Sequence, residues 1–250
     1  MSSLPTGKSR PPSLNLEFEH HEKKIEQIGP RSKVMIAGDA LLGAQVVEKA
    51  RGTIAALPNP STQQVADVLR DTYMTVHLER AEQVILFPRG LTFKEFKEHG
   101  ATQIPLQVYL TIDNTLFTFG LGVVEFLVAG ADATGAHLFR VHYNGLSGGS
   151  WQEWCDKLGY SAIGTGAPHA SILLAIEGQH RGRSIAETLY NVYCAKRTSE
   201  VAPGVGSATD LAIITAEKIE ILKEDRLKKL AALRDKHQHQ KVTEEEMEAL

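Results

Sequence analysis

The sequence predicts an α+β fold in which helices stack on layers of antiparallel sheet, and three observations lead there. Alternating, β-branched stretches fall in groups before and after a block of segments with apolar residues at helical spacing. The early helical segments begin at helix-start signals, Asp39, Ser61 and Thr92. A further helical pair separates the middle strands from a closing hairpin, an order that suits sheet layers covered by helices. With 250 residues, 42% of them hydrophobic and 23% charged, the chain has material for one sizeable core.

Residues 1–13 hold Pro5, Gly7, Pro11 and Pro12 among serines, which opposes helix and sheet and reads as a flexible lead-in. Leu14, Leu16 and Phe18 then alternate with Asn15, Glu17 and Glu19, the pattern of a half-buried strand, and residues 33–37 give a second strand ending at Gly38. Asp39 is placed to cap a helix through Leu42, Val46, Val47 and Ala50 that stops near Leu57 and Pro58. Ser61 with Gln64, and Thr92 with Glu95, form capping boxes. The first opens a helix through Val65, Leu69, Tyr73 and Val76, the second a short third helix.

Residues 106–112 and 123–131 are rich in β-branched side chains and read as strands. With residues 137–143, bounded by turns at Gly135 and Asn144-Gly145, they predict an antiparallel meander. Residues 161–164 read as one more short strand before Gly166. Ile172, Leu173 and Ile176, then Ile185, Leu189 and Val192, have helical spacing. Residues 209–215 and 219–222 close the domain as a hairpin. Residues 223–250 are charged and carry Leu227, Leu230 and Leu233 on one face, an amphipathic C-terminal helix running into the acidic tail at residues 244–248. The expected division is a lead-in (1–13), a domain (14–222) and a helix with its tail (223–250).

Several functions are excluded by composition. A net charge of -3 with acids and bases interleaved offers no basic stripe for nucleic acid. The longest apolar run, residues 121–131, is broken by Glu125 and is too short to span a bilayer. Two cysteines, Cys155 and Cys194, and a polar stretch from residue 1 to 10 without an apolar core fit a reducing cytoplasm. His20 and His21 would point to opposite faces of a strand and so cannot share an ion, and His237 and His239 sit in a tail of glutamines and lysines, so neither a metal nor a cofactor is expected. Trp151 and Trp154 follow a glycine-rich stretch and read as aromatic packing after a turn. Cys155 lacks a basic neighbour to activate it, and Ser184 and Ser199 lack a recognisable base.

Three stretches, in order, resemble the proteasome β-type subunits of the N-terminal-nucleophile hydrolase class. Lys23-Lys24-Ile25-Glu26-Gln27-Ile28 and Val34-Met35-Ile36-Ala37-Gly38 resemble the paired-lysine strand and the strand ending in alanine-glycine, without a gap from the second lysine to the glycine. Phe126-Leu127-Val128-Ala129-Gly130-Ala131-Asp132, with Gly135, Leu138 and Val141, resembles the central hairpin. Ala162-Ile163-Gly164-Thr165-Gly166 resembles the Gly-Ser-Gly turn before a long helix. The resemblance covers residues 14–222 and implies a four-layer αββα sandwich, two antiparallel sheets between helix layers, assembled as a homo-oligomeric ring that acts on peptides or unfolded polypeptides.

In that family an N-terminal threonine attacks the scissile carbonyl. The resemblance assigns Lys24 to the lysine that lowers the barrier, Gly38 to the oxyanion-binding amide, Thr165 to the hydroxyl beside the nucleophile and Glu200 to a supporting carboxylate. It assigns the substrate pocket to Ile36, Ala40 and Ala44. Three departures weigh against activity. Lys8-Ser9-Arg10 stands where the family has Asp-Ser-Arg, Pro203 replaces a hydroxyl, and only seven residues precede Lys8, fewer than half of what the first strand hairpin needs. The expectation is a threonine-type peptidase subunit that, starting from Met1, is poorly active or inactive; robust turnover would instead assign the threonine's role to Ser2. The alternative is a non-catalytic scaffold, or a ring subunit that binds a partner through its C-terminal leucines.

Overall fold

The structure is a computed structural model in which residues 25–144 and 149–239 are described. Lys24, the expected strand at residues 14–19, Gly145 and the acidic tail lie outside them. The described residues form seven α-helices, one five-stranded antiparallel sheet and one two-stranded sheet.

Strands β1 (Ile25–Gly29) and β2 (Ser32–Gly38) form a hairpin whose register shifts between Gln27 and Gly29. Asp39 then opens α1 (Ala40–Ala55), its carboxylate accepting hydrogen bonds from the Leu41 and Leu42 amides at 3.0 and 3.1 Å. The capping box expected at Ser61 and Gln64 is present and opens α2 (Thr62–Ala81). A π-helical turn (Glu82–Leu86) and a 3-10 turn (Phe87–Arg89) lead to α3 (Phe93–Gln103), opened by the Thr92–Glu95 box.

A fourth helix, α4 (Leu106–Thr118), follows where the sequence predicts a strand at residues 106–112. Tyr109, Ile112 and Leu116 recur at helical spacing and pack with Ile85, Leu86 and Phe96 into a small satellite core. The threonine hydroxyls, which favour strands by propensity, here donate to carbonyls four residues back, Thr111 to Gln107 and Thr115 to Thr111, both at 2.7 Å. Tertiary packing of that face outweighs β-propensity.

The chain then returns to the sheet. β3 (Val124–Asp132) pairs with β2 along its length, β4 (Gly135–Asn144) with β3, and β5 (Gly149–Trp154) with β4. Val124, Phe126 and Val128 of β3 and Phe139 and Val141 of β4 face α1 and α2, whose Val46, Val47, Ala50, Ile54, Val65, Leu69 and Tyr73 complete one core. Alternation turns Glu125 and Leu127 of β3 to the opposite face. β5 places Trp151 and Trp154 in solvent, 55% and 58% exposed, which corrects the expected aromatic packing.

No strand forms at residues 161–164, contrary to expectation. The segment is instead held by contacts of Gly164, described below. α5 (Ala167–Ile176) and α6 (Ile185–Ser199) pack on each other, and Ser184 is the α6 N-cap, bonded to Glu187. β6 (Ala212–Ile214) and β7 (Ile219–Ile221) form the closing hairpin, and α7 (Glu224–His239) is the C-terminal helix. Leu227 and Leu230 of α7 pack with Tyr193, Leu211 and Leu222, whereas Leu233 is 43% exposed. No helix among the described residues is long and apolar enough to cross a membrane.

A titratable histidine is buried beside the core. His77 of α2 is 3% exposed, stacks on Tyr143 with ring centroids 4.2 Å apart, and its Nε2 lies 3.0 Å from the Phe119 carbonyl oxygen. That oxygen only accepts, so Nε2 carries the proton and Nδ1 is left buried without a partner. Burial holds the imidazole below its ordinary value of 6.5 despite the Phe119 carbonyl. The unfolded chain therefore binds this proton first, and stability present above pH 6.5 is lost as the pH falls toward the folded-state value. Urea midpoints should drop between pH 7.5 and 5.5, and His77→Gln, which keeps the donor but does not titrate, should flatten that segment of the profile.

Candidate functional site

Gly38 ends β2 with φ +97, a conformation that L side chains rarely adopt, and a Cβ there would lie 1.9 Å from the Val123 carbonyl oxygen. That oxygen accepts the Asp39 amide at 2.9 Å, so the tight approach fixes the step from β2 into α1. The Gly-Thr-Gly turn meets the same end of the strand. A Cβ on Gly164 (φ +81) would stand 3.0 Å from the Ala37 Cβ, and the Gly164 amide donates to Glu125 Oε2 at 2.9 Å. Glu125 is the ladder partner of Ala37 on β3. Two glycines in left-handed geometry and one carboxylate thus tie the turn to the β2 terminus.

The second glycine of the turn brings in α6. Gly166 is buried, and a Cβ on it would lie 2.8 Å from the Ser199 Cβ, in the last turn of that helix. Thr165 between the two glycines is exposed. Glu200, the α6 C-cap, is engaged by Lys196 at 2.7 Å and Arg197 at 3.0 Å. Segments distant in sequence, residues 37–38, 125, 164–166 and 199–200, are therefore linked through successive contacts.

The pocket residues are divided. Ile36 is the ladder partner of Phe126 and packs under Gly43 of α1, so its side chain belongs to the core. Ala40 and Ala44 are exposed one turn apart on α1. Lys24 is outside the described residues.

Glu125 was not expected from site reasoning, although it carries a signal: it is the single charge in the apolar run of residues 121–131. Burial pushes its carboxyl up, but the Arg140 guanidinium and the Gly164 amide more than offset this and hold it below the ordinary carboxylate value. Arg140 also lies 3.5 Å from Glu153, whose carboxylate is 3.3 Å from His142. The resulting charged row lies on the sheet face away from α1 and α2. Cys155 next to it is pushed up by burial, which disfavours the thiolate and any role as nucleophile.

Comparison with protein-family models gives no match, and comparison with curated proteins gives none either.

Proposed function

We propose that this chain is a subunit of N-terminal-nucleophile hydrolase architecture, similar to the proteasome β type, that acts on peptide bonds within a homo-oligomeric ring. The observation that carries the proposal is the meeting of the Gly164-Thr165-Gly166 turn with the Ala37-Gly38 end of β2. Two motifs far apart in sequence come together there, which supports the reading. The finer four-layer αββα arrangement is part of the proposal. It is supported by the α1–α2 layer on one sheet face, by the contact of β6 with β3, and by the packing of α6 and α7 beside β6 and β7. Lys24 is proposed as the electrostatic group, Gly38 as the oxyanion amide and Thr165 as the auxiliary hydroxyl.

Ring assembly is supported by apolar side chains in solvent on helix faces. Leu106, Leu110 and Phe117 of α4 are 66%, 49% and 57% exposed, and Ile172 and Ile176 of α5 are 59% and 74% exposed. Light scattering at micromolar concentration should give a multiple of 27.4 kDa, and a monomer mass removes the ring.

Turnover of fluorogenic peptides tests the chemistry. Slow hydrolysis that is lost in Lys24→Ala and reduced in Thr165→Val is the expected outcome. Hydrolysis indifferent to both substitutions contradicts it. The complete absence of hydrolysis in an assembled ring favours the scaffold reading instead, which the pairing of Glu200 with Lys196 and Arg197 supports, since its carboxylate is already engaged.

A further inference from the structure

We propose that Thr134, His137 and Asp156 form a second hydrolytic site at the β3–β4 turn, one that takes acyl groups from small activated esters onto the Thr134 hydroxyl and passes them to water. The turn stands at the far end of β3 from Glu125 and Gly38, about 26 Å away at the usual rise per strand residue, so it is independent of the peptide-bond reading.

The geometry is that of a nucleophile, a base and an orienting acid. Thr134 Oγ1 lies 2.7 Å from His137 Nε2, and His137 Nδ1 lies 2.6 Å from Asp156 Oδ2. The Asp156 side chain is 2% exposed, and its other oxygen accepts the Leu138 amide at 2.7 Å. An ionised carboxylate only accepts, so Nδ1 carries the proton and the Nε2 lone pair faces the Thr134 hydroxyl. Thr134 itself is exposed, at the tip of a two-residue turn closed by Asp132 and Gly135, the latter at φ +122. Access and orientation are therefore both met.

Asp132 competes for the same hydroxyl: its Oδ1 accepts from Thr134 Oγ1 at 2.6 Å and lies 3.4 Å from His137 Nε2. Burial raises its carboxyl, but the bonds from the Thr134 hydroxyl and from the Thr62 and Thr134 amides outweigh this and hold it well below the ordinary carboxylate value. For attack the hydroxyl turns its one proton from Asp132 to His137 Nε2, and Asp132 keeps the bonds from the Thr62 and Thr134 amides. Arg181 donates from Nη2 to the Ala136 carbonyl oxygen at 3.3 Å and lies 3.8 Å from Asp156 Oδ2, which sets a positive charge beside the turn.

In the reaction, Thr134 Oγ1 bonds to the ester carbonyl carbon as its proton moves to His137 Nε2. The carbon–oxygen bond to the leaving alcohol breaks, and His137 returns the proton to that oxygen. Water, deprotonated by His137, then cleaves the threonyl ester, releasing the acid and restoring the hydroxyl. Thr134 and His137 are the catalytic residues and Asp156 is a positioning residue.

The test is p-nitrophenyl acetate added to the full chain, with nitrophenolate release followed in time and acetylated residues mapped by mass spectrometry after acid quench. A burst with acetyl on Thr134 is expected, retained in Thr134→Ser and reduced at least about 100-fold in Thr134→Val and His137→Gln. Thr134→Val alters an exposed turn side chain, so its fold, checked by thermal melting, should survive even if His137→Gln does not. Gly52→Ala, with open space around its Cβ position on α1, should leave the burst intact, and acetyl mapped to Thr134 rather than to residues 163–166 separates this site from the peptidase. Acetyl on lysines or Cys155 without Thr134, no burst in the native chain, or a burst undiminished in Thr134→Val each overturns the proposal.

Discussion

Replacing Phe126 by alanine is expected to cost about 3–5 kcal/mol, the usual range for an aromatic truncated in a core that cannot collapse around the space. Phe126 is 0% exposed and meets Tyr73 edge-on, centroids 5.5 Å apart at 81°. Tyr73 is itself 1% exposed, and burial drives its hydroxyl up to about 12 despite its contact with the Val124 carbonyl. The truncation therefore opens space at the centre of the α1–α2–sheet interface and removes an aromatic pair worth about 0.5–1.5 kcal/mol beyond its area. Urea unfolding should report the loss as a lower midpoint. Leu41→Ala, at a side chain 86% exposed on α1, should stay within about 0.5 kcal/mol of the parent.

The second large effect is expected at Gly38→Ala. Its φ of +97 costs a non-glycine residue about 1–3 kcal/mol, and the added methyl would stand 1.9 Å from the Val123 carbonyl oxygen. That oxygen must then move and give up the Asp39 amide, which loosens the cap of α1 together with the end of β2. Hydrogen exchange at Asp39, Leu41 and Leu42 should speed up with the fall in stability. Gly52→Ala is the contrasting case, in the same helix with open space around its Cβ position. It should stabilise the protein by about 0.5–1 kcal/mol, because alanine loses less backbone freedom in a helix. A Gly38→Ala protein as stable as the parent would mean that the strand end is looser than its contacts imply.

Where local chemistry decides an element, the sequence shows it. Asp39, Ser61 and Thr92 announce three helices because the capping oxygen and the amides it satisfies lie within three residues of each other. The β3–β4 hairpin is legible from its alternation and Gly135. Residues 106–112 mislead because β-branched side chains dominate by propensity, while the deciding fact, the packing of Tyr109 and Ile112 on Phe96 and Ile85, is tertiary. Residues 161–164 look like a strand because they are short and apolar, yet close approach of Gly164 to Ala37 gives the segment another role.

The same division holds for the candidate site. Gly38 and the Gly164-Thr165-Gly166 turn were readable as motifs, since glycines mark close approaches. The bond from Glu125 to Gly164 was not, because it joins residues far apart in the chain, although a lone acid in an apolar strand was its trace. Thr134, His137 and Asp156 were missed because Asp156 lies two strands beyond the turn it orients, and no spacing rule connects them.

The central claim is that the β2 terminus and the Gly164–Gly166 turn form one peptide-handling end. The most direct measurement is hydrogen-exchange mass spectrometry of the full chain with and without a saturating peptide aldehyde, an electrophile that binds where a hydroxyl attacks a peptide carbonyl. The account predicts protection gained together at residues 37–39 and 163–166, with the β3–β4 turn unchanged. Protection at neither segment, or at one without the other, would contradict it.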